Sequence, residues 1–263
     1  IMANEVKKKE ESNVVAFDKS ILLQDAGSAS ENMSQEDIMI PRLNILQAQS
    51  PKAMKADPSY IKGAEAGYIL DTVSNDVIDG EKGITVVPIS YRRTHLEWKP
   101  DRGGLVKDHG NDPFILTTCK QNELGKYFND VGNEVVPTAE YMVYVIDGTL
   151  YSPAMISMAS SQLRKAKQWN SMINRLQIPR PDGEGVMNPA MFWTAYKLTT
   201  VPQKNDNGTW FGWNIEIGYD AKSGGILEKL PNGQDIYLAA RKFKSKVTSG
   251  EVNVSPDEQD DVM

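Results

Sequence analysis

A single cysteine, Cys119, in 263 residues leaves no partner for an intrachain disulfide and no thiolate set for a zinc or iron–sulfur site. Histidine is almost as scarce: His95 and His109 are the two in the chain, too few for a histidine-built metal centre. No stretch approaches the ~18 consecutive apolar residues of a membrane span. The opening residues, Ile1 to Lys9, carry charge where a signal peptide would carry an apolar run. The expectation is a soluble protein of a reducing compartment that does not enter the membrane.

Catalytic motifs are missing as well. The chain has no GxxxxGK(S/T) phosphate loop, no GxGxxG after a strand, no GxSxG elbow and no HExxH helix. Asp71, Asp76, Asp79 and Glu81, or Glu140 with Asp147, could assemble a carboxylate–metal nuclease. Most of these occupy turns, where Asp is favoured for local hydrogen bonding. The expectation is a chain that is not an enzyme and uses no metal or cofactor.

What the chain does have is charge arranged in blocks. The formal net charge of -6 comes from 35 acids and 29 bases, and the last thirteen residues, Glu251 to Met263, hold five acids and no base. Residues 34–250 carry 24 acids and 25 bases, so the body is near neutral. Within it the bases cluster. Ser160 to Arg180 contains Arg164, Lys165, Lys167, Arg175 and Arg180 without an acid, and Arg241 to Lys246 contains four bases without an acid. Local potential reaches about 10 Å at physiological salt, so a ligand responds to these clusters and not to the global balance.

Three regions follow: a flexible, polar N-terminal segment over 1–33, a folded domain over 34–250 and an acidic tail over 251–263. In the domain, Ser34 to Leu46 is ambiguous between helix and strand, and Pro41 favours an extended path. Strands are expected at Gly67–Val73, Ile84–Lys99, Phe114–Thr118 and Ala139–Ile146. The last pairs with Leu150–Met158 across Asp147-Gly148. Apolar residues at three-to-four spacing (Leu163, Ala166, Trp169, Ile173, Leu176) predict a central helix over 160–177, capped by Ser160 or Ser161. Met191–Val201 and Thr209–Tyr219 form a late hairpin, and Gln234–Val247 a basic C-terminal helix. This order, mainly β with one central and one C-terminal helix, fits a five-stranded Greek-key barrel of the oligonucleotide-binding (OB-like) type with extensions. A helix-decorated sandwich fits too.

Aromatic and basic residues interleave on the predicted strands. Period-two geometry puts Tyr91, Arg93 and His95 on one face of the long strand and Arg92, Leu96 and Trp98 on the other, with Lys99 at its end. The late hairpin carries Trp193, Tyr196 and Lys197, then Trp210, Phe211 and Trp213, so three of the five tryptophans lie there. Single-stranded nucleic acid offers flat bases and a line of phosphates to any sequence. Rings stack on the first at ~1–3 kcal/mol per base, and Lys and Arg neutralise the second. These residues, with Arg164, Lys165 and Lys167 for phosphate, are the candidate DNA-binding set. The alternative for each ring is a place in the core, since strands are rich in aromatics anyway.

The tail, Ser255 to Met263, combines Asp257, Glu258, Asp260 and Asp261 with apolar Val262 and Met263. It can mimic a phosphate strand in the protein's own basic groove, or offer charge and an apolar plug to a partner. A merely solubilising tail is the alternative. The strand–helix–strand order, the basic aromatic strands and this tail together resemble the single-stranded-DNA-binding proteins of tailed bacteriophages, over about Ser34 to Met263. The stretch Ile40 to Pro51, with Gly67 and the strand at Ile84, is similar to phage early-region proteins. The tail of the resembled family usually closes on an aromatic residue, whereas this one closes on Val262-Met263. The resemblance implies coating of single strands in replication and recombination, in the cytoplasm of an infected bacterium. It also implies contacts with polymerase or helicase through the tail, and homodimers. Two rivals stay open: a protein-interaction module aimed at host RNA polymerase or a host nuclease, and a metal-dependent DNA-processing enzyme.

Overall fold

The computed structural model describes residues 33, 38–100, 103–206, 208–218, 227–230 and 232–251. The chain divides into two compact units, Ile1–Ile38 and Met39–Met263. Of the first, Met33 and Ile38 are described, and both are exposed. Apart from Met33, the N-terminal segment 1–33 lies outside the described residues, and so does the tail beyond Glu251.

The second unit is mainly β. Short strands β1 (Leu43–Ile45), β2 (Ile69–Asp71) and β3 (Val77–Ile78) lead into the long β4 (Ile84–Trp98). An excursion follows, with β5 (Leu105–Asp108), β6 (Lys120–Gln121) and β7 (Tyr127–Phe128), before β8 (Glu134–Asp147) and β9 (Leu150–Ala159). Helix α1 (Leu163–Arg175) comes next, then β10 (Ile178–Pro179) and β11 (Val186–Met187). The hairpin of β12 (Tyr196–Asn205) and β13 (Gly208–Ile217) and helix α2 (Gly233–Thr248) complete it.

The spine is the antiparallel pair β4–β8, in register from Thr85 opposite Ile146 to Trp98 opposite Glu134, with a bulge between Pro88 and Ser90. Such a bulge bends the strand and sharpens its twist. Around this pair an eight-stranded sheet runs in the order β13-β12-β4-β8-β7-β6, with β5 added to β4 and β9 to β8. β1, β2 and β3 form a separate sheet, and β10 pairs with β11. Among the described residues no pairing joins β13 to β6, so the main sheet is open. The pairings are those of hairpins laid beside a long central pair, and the five strands expected of a Greek-key barrel do not account for them.

Both faces of this sheet are covered. On one, Ala139, Tyr141, Val143, Ile156 and Met158 pack with Ala166 and Trp169 of α1. On the other, Val87, Ile89, Met142, Tyr144 and Met155 pack with Ile236 and Ala240 of α2. Alternation along β8 assigns Tyr141 and Val143 to one side and Met142 and Tyr144 to the other, so the helices lie on opposite faces. Burying each such side chain contributes ~1.5–3 kcal/mol, which is what fixes the sheet's register.

Several local expectations change. Phe114–Thr118 is part of a 3-10 helix, Pro113–Thr118, because the Asp112 side chain accepts a hydrogen bond from Phe114 N at 3.0 Å and Pro113 fixes a helical φ. Met191–Trp193 is likewise a 3-10 turn, and the strand starts at Tyr196. Neither Ser160 nor Ser161 caps α1. A 3-10 turn, Ser160–Gln162, precedes it, Ser160 has φ +49°, and Gln162 occupies the cap position. The Gln162 side chain is engaged elsewhere: its Oε1 accepts from Trp213 N at 2.9 Å, and its Nε2 donates to Gln203 Oε1 at 3.2 Å. Close approach of backbones explains two glycines. A Cβ on Gly80 would lie 1.9 Å from the Gly67 carbonyl oxygen, and one on Gly67, where φ is +90°, would meet the Phe211 ring at 2.6 Å.

Candidate nucleic-acid interface

Four of the candidate rings are core. His95 (3% exposed), Trp98 (1%), Tyr196 (1%) and Trp213 (2%) are sealed from solvent. Both sheet faces are covered, so the strand face expected to be open holds packed side chains instead. His95 closes β4 onto the following loop through its backbone and through Nδ1, 3.1 Å from the Gly110 carbonyl. Trp98 packs with Leu96 and Val136. Arg92 is committed to ion pairs with Glu140 and, at 2.9 Å, Asp108. Phe211 lies against Gly67, Lys197 donates to the Gly83 carbonyl at 3.3 Å, and Trp193 meets Tyr237 edge-on with ring centroids 6.0 Å apart. The four sealed rings, His95, Trp98, Tyr196 and Trp213, are not open to a base in this arrangement.

Of the remaining candidates, Tyr91 and Arg93 lie on the sheet face that α1 covers. Tyr91 is 40% exposed and ends a run of rings. Its centroid is 5.1 Å from that of Tyr141, which stacks on Trp169 at 4.3 Å, which meets Tyr196 edge-on at 5.6 Å. The Tyr141 hydroxyl lies 2.8 Å from Asn170 Oδ1 and 2.9 Å from the Ala166 carbonyl oxygen, tying the run to the helix. Burial pushes the hydroxyls of Tyr141 and Tyr196 well above their ordinary pKa, so both stay protonated donors. Tyr91 is thus an exposed ring backed by buried ones.

Arg93 lies on the same face, one residue beyond the neighbour of Tyr91, half-buried and without an ion pair among the described residues. The outer side of α1 presents Arg164 and Lys167, both exposed, with Lys165 half-buried. The spacing from Arg164 through Lys167 and Ser171 to Arg175 keeps one side of the helix polar while Ala166 and Trp169 face the sheet. Lys99, at the end of β4, is exposed.

A groove of about 680 Å³ opens at the start of α1, between β7, the beginning of β8 and the tip of the β12–β13 hairpin. Trp210, Tyr127, Lys126, Pro137 and Leu163 line it. The Trp210 indole N–H donates to Gln203 Oε1 at 3.0 Å, which holds the ring in place. Lys126 is 3.6 Å from Glu134 at the same site. Tyr127 and Lys126 escape a reading that looks only at long strands, although Lys126-Tyr127-Phe128 carries the same base-and-ring pattern.

Of the carboxylates considered for metal chemistry, Asp71, Asp79 and Glu140 are engaged in other ways. Asp71 and Asp79 accept backbone N–H bonds within their own turns. Glu140, 2% exposed, is gripped by Arg42 at 3.1 Å and by Arg92. Glu97 accepts from Asn129 and Asn133 and faces His109, each at 2.7 Å. Burial pushes Glu97 up, but the hydrogen bonds from Asn133, His109 and Asn129 outweigh it and hold the carboxyl below its usual value. Asp108 behaves alike: burial raises it, and bonds from Thr94 and Gly110 N with the charge of Arg92 lower it further. Among the described residues, no group of three or more His, Cys, Asp or Glu could hold a metal ion, and no helix is long and apolar enough to cross a membrane.

No curated protein matches the chain, and no solved structure does. A family model described as "Pam3 phage gp34-like protein" matches residues 9–253, which takes in the β4–β8 pair, both helices and every candidate DNA-binding residue, though not the tail residues 257–263. The chain belongs to the Pam3 phage gp34-like protein family.

Proposed function

We propose that this phage-family chain binds single-stranded DNA without sequence preference. The carrying observation is the exposed ring of Tyr91, backed by buried rings, on the same strand face as Arg93, which makes no ion pair among the described residues, together with an acid-free helix bearing Arg164, Lys165 and Lys167. A base stacks on Tyr91 and the phosphates run along α1. The groove at Trp210 and Tyr127 receives a further base, since Trp210 is half-buried, held by Gln203, and open to the cavity. This reading needs fewer rings than the candidate set held, and it does not need a closed OB-like barrel.

The acidic tail, with Asp257, Glu258, Asp260 and Asp261, competes with DNA for the bases of α1. When displaced, it offers Val262 and Met263 to a replication partner such as a polymerase or helicase. The setting is DNA replication or recombination in the cytoplasm of an infected bacterium, with the chain acting as monomer or homodimer and without catalysis. Fluorescence anisotropy with labelled oligo-dT, duplex and RNA of equal length, with and without magnesium, tests this. Saturable binding that favours the single strand and ignores magnesium is expected. Magnesium-dependent cleavage, or binding to none of the three, refutes it. Removing residues 251–263 tightens binding; unchanged or weaker affinity discards the competition.

A further inference from the structure

We infer that the outer edge of β4 at Tyr91–Arg93 is a docking site for an extended acidic peptide of a partner protein, added as a short strand. On that edge β4 is paired by β12 over Ile84–Val86 and by β5 over Leu96–Trp98. Between them lies a gap. His95 sends its N–H and carbonyl outward to Gly110 and His109, and the alternation of an antiparallel strand sends those of Arg93 and Tyr91 the same way. They have no hydrogen-bond partner there among the described residues. Edges of this kind are usually paired, covered or blunted, and an incoming strand pairs with them through its own backbone.

Side chains beside the gap supply the specificity. A pocket of about 300 Å³ opens against Ser90 and Tyr91, lined by Met142, Met155, Met191 and Val247. Thioether side chains adapt to differing apolar guests, so every second residue of an added strand can place an apolar group here. The charge around it is positive. Glu140 in the lining is neutralised by Arg42 and Arg92, whereas Lys244 at the rim makes no ion pair among the described residues. Arg241 and Lys242 stand exposed on the same helix as Lys244. An acidic peptide with an apolar residue complements all three features: the open backbone, the methionine pocket and the bases.

The test uses the full chain and a capped peptide of alternating Glu and Val as probe, read by backbone amide hydrogen exchange and by anisotropy of the labelled peptide. Saturable binding is expected, with about tenfold slower exchange at the Tyr91 and Arg93 amides and little change at Arg92 and Thr94, which already pair with β8. Lys244→Glu weakens the peptide several-fold, and a peptide N-methylated at alternate residues does not bind. Oligo-dT serves as the second arm. No binding, binding that leaves the two amides unprotected, or equal protection by oligo-dT overturns the inference. The last result would assign the edge to nucleic acid. Failure of oligo-dT to bind at all would leave this site standing and remove the DNA reading instead.

Discussion

Four cations, Arg93 on β4 and Arg164, Lys165 and Lys167 on α1, are exposed or half-buried and make no ion pair among the described residues, and their number sets the salt dependence of binding. Each phosphate neutralised on a single strand contributes about -0.7 to the slope of log affinity against log salt, so four contacts give about -2.8. Raising salt from ~50 to ~200 mM then costs ~50-fold in affinity. Replacing Arg164, Lys165 and Lys167 together by Gln leaves one cation, a slope of about -0.7 and a loss of only ~3-fold over the same range. None of the three side chains is buried, so the triple variant folds like the parent chain and its thermal unfolding serves as the control. The assay is anisotropy of labelled oligo-dT at several salt concentrations for both proteins. A slope near zero in the parent, or an equal slope in the triple variant, would refute the assignment of α1 to the phosphate backbone.

Other outcomes follow from the same geometry. Tyr91→Ala removes the exposed stacking ring and weakens oligo-dT binding ~5–150-fold, the equivalent of ~1–3 kcal/mol; unchanged affinity by titration would show that the ring is not a platform. Trp98, Trp169 and Trp213 are buried, and the half-buried Trp193 packs against Tyr237 and does not line the groove, so any fluorescence quenching by DNA comes mainly from Trp210 and disappears in Trp210→Phe; retained quenching would locate the DNA elsewhere. Glu140→Ala leaves Arg42 and Arg92 without their shared carboxylate and costs ~3–5 kcal/mol in denaturant unfolding; a loss under ~1 kcal/mol would mean the pair is not structural. Glu97 and Asp108 are held below their unfolded values of about 4.3 and 3.9, so the stability they supply is complete above those values and fades as pH falls through the lower folded ones. Glu97→Gln therefore flattens the acid limb of a stability–pH curve, and a limb as steep as the parent's would contradict this.

Much of the fold was legible because alternation and helical spacing are local signals. The long strand at Ile84, the hairpin through Asp147-Gly148 and the helix with Ala166 and Trp169 inward all follow from them. Which strand face meets solvent was not legible. Period two separates Tyr91 and Arg93 from Arg92 and Trp98, but it cannot tell that α1 and α2 cover both faces. Hence Tyr196 and Trp213, correctly placed on a strand, turned out to be core. Tyr127 reaches Trp210 through tertiary placement of the excursion after β4, for which no local pattern exists. Phe114 shows the limit of propensity: an apolar run reads as a strand until an Asp-Pro start turns it helical.

The most direct measurement is photo-crosslinking of the full chain to an oligonucleotide carrying 5-iododeoxyuridine, with the modified residues mapped by peptide mass. Such a base couples to a ring on which it is stacked. The account predicts an adduct on Tyr91, a second on Trp210, and none on the buried Trp98 or Trp213. Adducts confined to other parts of the chain, or none at concentrations where the strand is bound, would contradict it.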